Sequence, residues 1–243
     1  METVIDQAAQ RDDRHTNRAA LPAAGLAIVL AMVLLVLVGG TTFTDVHLTT
    51  LFGYLCVWVP LLAAILVTAG RGGLAALRLS IRPIDLVWGL GVGLLARTGA
   101  SLIEIAGYGS IGTTGASFGE TVYDGWWLFG ALVAPVLLAP VIEELFFRGL
   151  VLRAVYARVV METSASRWAA PIAVGVSGLT FALMHLITIE PASTVVVVVV
   201  GCSTLLFGLG AAFVSLLTGR IGGAIIAHVT FNGLVIVPAL LAA

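Results

Sequence analysis

Pro140-Val141-Ile142-Glu143-Glu144-Leu145-Phe146-Phe147-Arg148-Gly149 sets two adjacent carboxylates and an arginine into sequence that is otherwise apolar. Upstream of the pair, Leu128 to Ile142 carries no charge. An ionisable group at the centre of a bilayer costs about 2.5–3.5 kcal/mol on insertion scales. Two glutamates there need a reason. One reading is a buried Glu144–Arg148 pair, one helical turn apart, that locks helices together. The other is a membrane-embedded catalytic base. The stretch by itself supports both.

Its surroundings decide the fold class. Of the 243 residues 60% are apolar and only 10% charged, against about 25% charged in soluble domains. The polar stretches are too short to fold separately, so the chain reads as one all-α, polytopic transmembrane helical bundle. Seven stretches are long enough to span a bilayer at about 20 residues per helix: 21–38, 51–69, 84–106, 126–160, 168–189, 195–217 and 221–241. Residues 1–20 read as a cytoplasmic, mobile N-terminal tail, 21–125 as accessory spans and loops, and 126–243 as the core that carries the polar motifs. The Gly, Ser and Thr-rich segment 107–125 reads as an external loop with room for an eighth helix. Pro135 and Pro140 are expected to bend the fourth span, since each lacks the N–H that a helix ladder uses.

Several function classes fall away. Net charge is −1 and there is no basic patch, so nucleic acid is not an expected partner. Cys56 and Cys202 show neither metal-ligand spacing nor a disulfide framework and read as small buried residues. Gly89, Gly91 and Gly93 have no preceding strand, so they suggest close helix packing rather than phosphate binding. Arg97 and Glu104, seven residues apart in the third span, share a helix face and read as a structural pair.

All twelve basic residues are arginine, and eleven fall in the N-terminal tail, the 70–83 loop, the 148–167 segment or the turn at 220. These are alternate connections, so the positive-inside rule places the N-terminus in the cytoplasm. Seven spans then put the C-terminus outside. The expected location is the plasma or inner membrane.

Two further polar constellations lie in late spans: Phe181-Ala182-Leu183-Met184-His185 and His228-Val229-Thr230-Phe231-Asn232. His228 and Asn232, four apart, project from one helix face. With Glu143 and Glu144 they supply a base, two imidazoles and an amide donor. Peptide-bond hydrolysis wants this set: a base to activate water and donors for the oxyanion. With Arg148 and Arg220 taken as membrane-edge markers, Glu143 lies about 8 Å and His228 about 12 Å from the cytoplasmic side. His185 lies about 25 Å from Trp168 by the same rise. The fifth helix is therefore expected to start in the cytoplasm and enter the membrane near Val174.

The ordered series Glu143-Glu144 with Arg148, Phe181 with His185, and His228 with Asn232 resembles the EExxxR, FxxxH and HxxxN motifs of the CAAX-protease and bacteriocin-processing family. These are intramembrane glutamic endopeptidases, also called the abortive-infection family. The resemblance covers residues 140–232. It implies that Glu143 is the general base, that His185 helps hold or polarise the water, and that His228 and Asn232 stabilise the oxyanion. It implies supporting roles for Glu144 and Arg148, and no metal or other cofactor. The implied partners are the lipid bilayer and a peptide or protein substrate, lipidated or of the bacteriocin-precursor type. Two other readings compete: a metal-dependent protease with Glu143, His185 and His228 as ligands, and a non-catalytic scaffold or transporter whose polar residues line a path.

Overall fold

The structure, a computed structural model, describes residues 2–39, 45–69, 77–111, 124–162, 166–189 and 193–242. Among these there is no strand. Helices α1 (Glu2–Gly39), α2 (Val46–Ala69) and α3 (Pro83–Tyr108) come first. A composite rod, α4, then runs from Gly125 to Glu162, and α5 (Ala169–Thr188), α6 (Thr194–Thr218) and α7 (Gly222–Ala242) follow. Seven helices among the described residues are long and apolar enough to cross a membrane. The chain is an integral multi-pass membrane protein built as an α-helical bundle.

Helix ends follow from local chemistry. Pro83 opens α3, where a missing N–H is harmless, and the Asp85 carboxylate accepts the Arg82 N–H at 2.7 Å. Asp124 caps α4 by accepting from the Trp127 N–H at 2.7 Å. Ser193 does the same for α6 through the Val196 N–H. Gly109 and Gly219 end α3 and α6 at φ of 77° and 68°, left-handed values that an L side chain resists.

Packing places α4 in the middle. It runs against α1, α2, α5, α6 and α7, while α3 packs along α6 and α7. Two glycines permit the α3–α7 approach. A Cβ at Gly89 would meet Ile226 Cβ at 2.5 Å, and one at Gly93 would meet Thr230 Cβ at 2.7 Å and the Ala227 carbonyl at 2.8 Å. Gly91 meets nothing within 4 Å, so only two of the three glycines do the expected packing. The Arg220 guanidinium donates to both Asp85 carboxylate oxygens, at 3.1 and 2.6 Å. That bond ties the start of α3 to the α6–α7 turn.

The backbone of the N-terminal tail is helical and continuous with the first span, and residues 2–18 contain neither Gly nor Pro to break it. The structure differs from the sequence-based expectations in three places. Cys56 is buried as expected, but Cys202 faces outward from α6. Arg148 is not a membrane-edge arginine, because it is fully buried in the bundle. The prolines of α4 are accommodated by π-helical segments, Phe129–Leu138 and Leu145–Val151, on either side of the α-helical Ala139–Glu144. The possible eighth helix concerns 107–125, of which 112–123 lie outside the described residues.

Candidate active site

Glu143 and Glu144 end the short α-helical step between the two π segments of α4. Adjacent helical residues point about 100° apart, so the two carboxylates have different neighbours. Glu144 is fully buried. Its Oε1 lies 3.1 Å from Arg148 Nη1 and 2.9 Å from His228 Nδ1. Arg148, also fully buried, donates through Nη2 to the Gly208 carbonyl of α6 at 3.1 Å. Its guanidinium carbon stands 4.5 Å from the Phe181 ring centroid, with Phe147 and Phe207 at 5.8 and 5.7 Å. A buried cation is tolerable when paired with a carboxylate, bonded to a carbonyl and set over aromatic rings. The ion-pair reading of this stretch is therefore correct for Glu144.

Glu143 has a different environment. Its side chain is 14% exposed, and its Oε2 makes no hydrogen bond with the protein. The same oxygen lies 3.8 Å from His185 Nε2 and 3.9 Å from His228 Nε2. Both separations are too long for a direct hydrogen bond. They suit a bridging water: two bonds of about 2.8 Å meeting near a right angle span about 4 Å.

The ring tautomers follow from the outer bonds. His185 Nδ1 lies 3.0 Å from the Phe181 carbonyl. A carbonyl only accepts, so Nδ1 carries the proton and Nε2 of the neutral ring presents a lone pair towards Glu143. That bond folds the ring back along α5 towards Phe181. His228 donates Nδ1–H to Glu144, whose carboxylate Arg148 also holds, and its Nε2 faces Glu143, where it donates when the ring carries a second proton. Phe181 and Phe207 pack against the His228 ring at 5.5 and 4.7 Å.

Asn232, on the same helix as His228, turns its amide towards α4. Its Nδ2 donates to the Pro135 carbonyl at 2.8 Å. Arg97 and Glu104 form the expected pair at 2.5 Å, and Arg97 rests on Phe231. Among the described residues no three His, Cys, Asp or Glu side chains are gathered as a metal site would gather them.

The sequence reading did not pick out two contributors. Ser177, fully buried on α5, donates to the Phe147 carbonyl in the second π segment at 2.9 Å. Its signal was present, because Ser177, Phe181 and His185 recur every four residues on one helix face. Tyr54 of α2 donates to the Gly130 carbonyl at 2.9 Å in the first π segment. Nothing in the spacing around Tyr54 marks it.

No curated protein and no solved structure matches the chain. Residues 125–234 match a family model described as Type II CAAX prenyl endopeptidase Rce1-like. That interval holds α4 to most of α7, with Glu143, Glu144, Arg148, His185, His228 and Asn232 all inside it. Through this region the chain is similar to the Rce1-like family.

Proposed function

We propose that this protein is an intramembrane endopeptidase that hydrolyses peptide bonds with water activated by Glu143. The family match supports a membrane protease of CAAX type acting on a peptide or protein. The observation that carries the glutamate mechanism is the convergence of His185 Nε2 and His228 Nε2 on one unbonded carboxylate oxygen of Glu143. A water there gives one hydrogen to Glu143 and the other to the His185 lone pair, which leaves an oxygen lone pair aimed outward. Glu143 takes the proton as the water oxygen attacks the peptide carbonyl carbon. The carbonyl oxygen becomes an oxyanion, and a His228 imidazolium, with Nδ1–H on the Glu144 carboxylate, offers it Nε2–H. Collapse breaks the C–N bond, and the leaving amine takes the proton back from Glu143. Glu144 and Arg148 hold the His228 ring, and Asn232 holds the Pro135 carbonyl of α4. Lipidated tails and bacteriocin-type precursors are the substrate classes to compare, in a plasma or inner membrane with the N-terminus cytoplasmic.

The test is cleavage of a fluorogenic peptide library by detergent-purified protein, beside Glu143→Gln and with and without a chelator. The proposal expects cleavage that Glu143→Gln reduces by at least 100-fold and the chelator leaves intact. Loss with chelator and recovery with zinc would replace it with a metal-dependent protease. Equal cleavage by wild type and Glu143→Gln would end it.

A further inference from the structure

The two prolines of α4 create two specific defects. In a π-helical turn the N–H of residue i bonds the carbonyl of residue i−5. The pattern is present here: the Ala139 N–H donates to the Ala134 carbonyl. Pro135 and Pro140 have no N–H to give. The carbonyls five residues before them, Gly130 and Pro135, therefore lose their in-helix donors. These same two carbonyls receive side-chain donors from neighbouring helices. Tyr54 Oη of α2 donates to Gly130 O at 2.9 Å, and Asn232 Nδ2 of α7 donates to Pro135 O at 2.8 Å. Each part-buried carbonyl would otherwise be left short of a partner.

We infer that Tyr54 and Asn232 are a matched pair of positioning residues, which seat the Gly130 and Pro135 carbonyls and so fix the direction in which α4 presents Glu143. This inference rests on the proposed proteolytic function. The mechanical reason is register. A π turn carries extra residue relative to an α turn, so gaining or losing one residue of it rotates everything beyond by about 100°. Glu143 lies eight positions beyond Pro135 and three beyond Pro140. It keeps its aim at His185 and His228 only while the widened segment keeps its length. α2 holds one orphaned carbonyl and α7 the other, and α7 also carries His228. Asn232 thus links the base to the helix of its imidazole partner, acting through the backbone of α4 rather than on the substrate.

Double-variant cycles test this. Pro140→Ala supplies an N–H that reaches the Pro135 carbonyl from within α4. Asn232→Ala alone is expected to lower kcat by about 10–100-fold with KM within twofold. In the Pro140→Ala background the same change should lower kcat by less than threefold. Tyr54→Phe, which keeps the ring packed on Trp58, should behave alike with Pro135→Ala. If Asn232 instead donates to the oxyanion, its loss costs the same in both backgrounds, and the inference is overturned. The same cycles read by thermal melting need no catalysis. Asn232→Ala should lower the melting temperature by several degrees in wild type and by much less with Pro140→Ala. Additive shifts would sink the carbonyl link even if the protein proves not to be a protease, whereas cleavage that survives Glu143→Gln sinks only the proteolytic reading.

Discussion

Arg148 shows how a single side chain is made tolerable inside an apolar bundle, and what that implies for its removal. Its charge is opposed by Glu144, and one Nη donates to the Gly208 carbonyl. Truncation to alanine leaves Glu144 as a buried carboxylate with only His228 to meet it. Breaking a buried pair from one side costs about 3–5 kcal/mol. Arg148→Ala is therefore expected to lower stability by that amount and to abolish cleavage, as read by melting and kinetics on the same preparation. The pair Glu144→Gln with Arg148→Met removes both charges together. It should recover most of the stability and little of the activity, because the carboxylate that holds His228 Nδ1 is gone. Recovery of both would show that the pair has no part in orienting His228. Arg148→Lys is not conservative here, since an ammonium lacks the planar fork that reaches a carboxylate and a carbonyl together.

At the scale of the helix, α3 and α7 meet through glycines, and the structure separates those that matter from the one that does not. Gly93→Ala places a methyl group 2.7 Å from Thr230 Cβ and 2.8 Å from the Ala227 carbonyl. Backbone cannot move aside as a flexible side-chain tip can. Overpacking of this kind costs about 1–3 kcal/mol. The change also displaces the part of α7 that carries His228, so activity should fall with stability. Gly91→Ala meets open space and should leave the melting temperature unchanged or raised, because alanine is the better helix former by about 1 kcal/mol. Equal effects at the two positions would refute the close approach. Within α4, the π segments put Glu143 and Glu144 into different neighbourhoods. Ser177 supports the second segment through the Phe147 carbonyl as Asn232 and Tyr54 support the first.

For the whole molecule, orientation rests on the arginines, and one of them must be set aside. Arg148 lies in the core and says nothing about the membrane edge. Arg153, by contrast, donates to the Gly219 carbonyl, and Arg220 holds Asp85. The end of the bundle that carries the α6–α7 turn therefore keeps its positive charge without Arg148. With seven spans among the described residues, reporters fused at the two termini are expected on opposite sides, with the N-terminal one cytoplasmic. Both reporters on one side would require a crossing beyond these seven.

Much of this was legible in the chain itself. Charge-poor stretches of about 20 residues have one stable arrangement in lipid, with every backbone group bonded within its own helix. Helix class, span number and approximate span limits therefore follow from composition and length. The candidate site was legible because polar residues in such spans are rare, and spacings of four put Glu144 with Arg148 and His228 with Asn232 on common faces. Tertiary structure alone decided which partner each polar atom takes. Two adjacent glutamates are chemically identical in sequence. They become an ion-paired anchor and a carboxylate with an unbonded oxygen because a helix turns them about 100° apart, towards different neighbours. The links from Tyr54 and Asn232 to the carbonyls that Pro135 and Pro140 leave free join residues 76 and 97 positions apart, and no local periodicity encodes a contact at that distance.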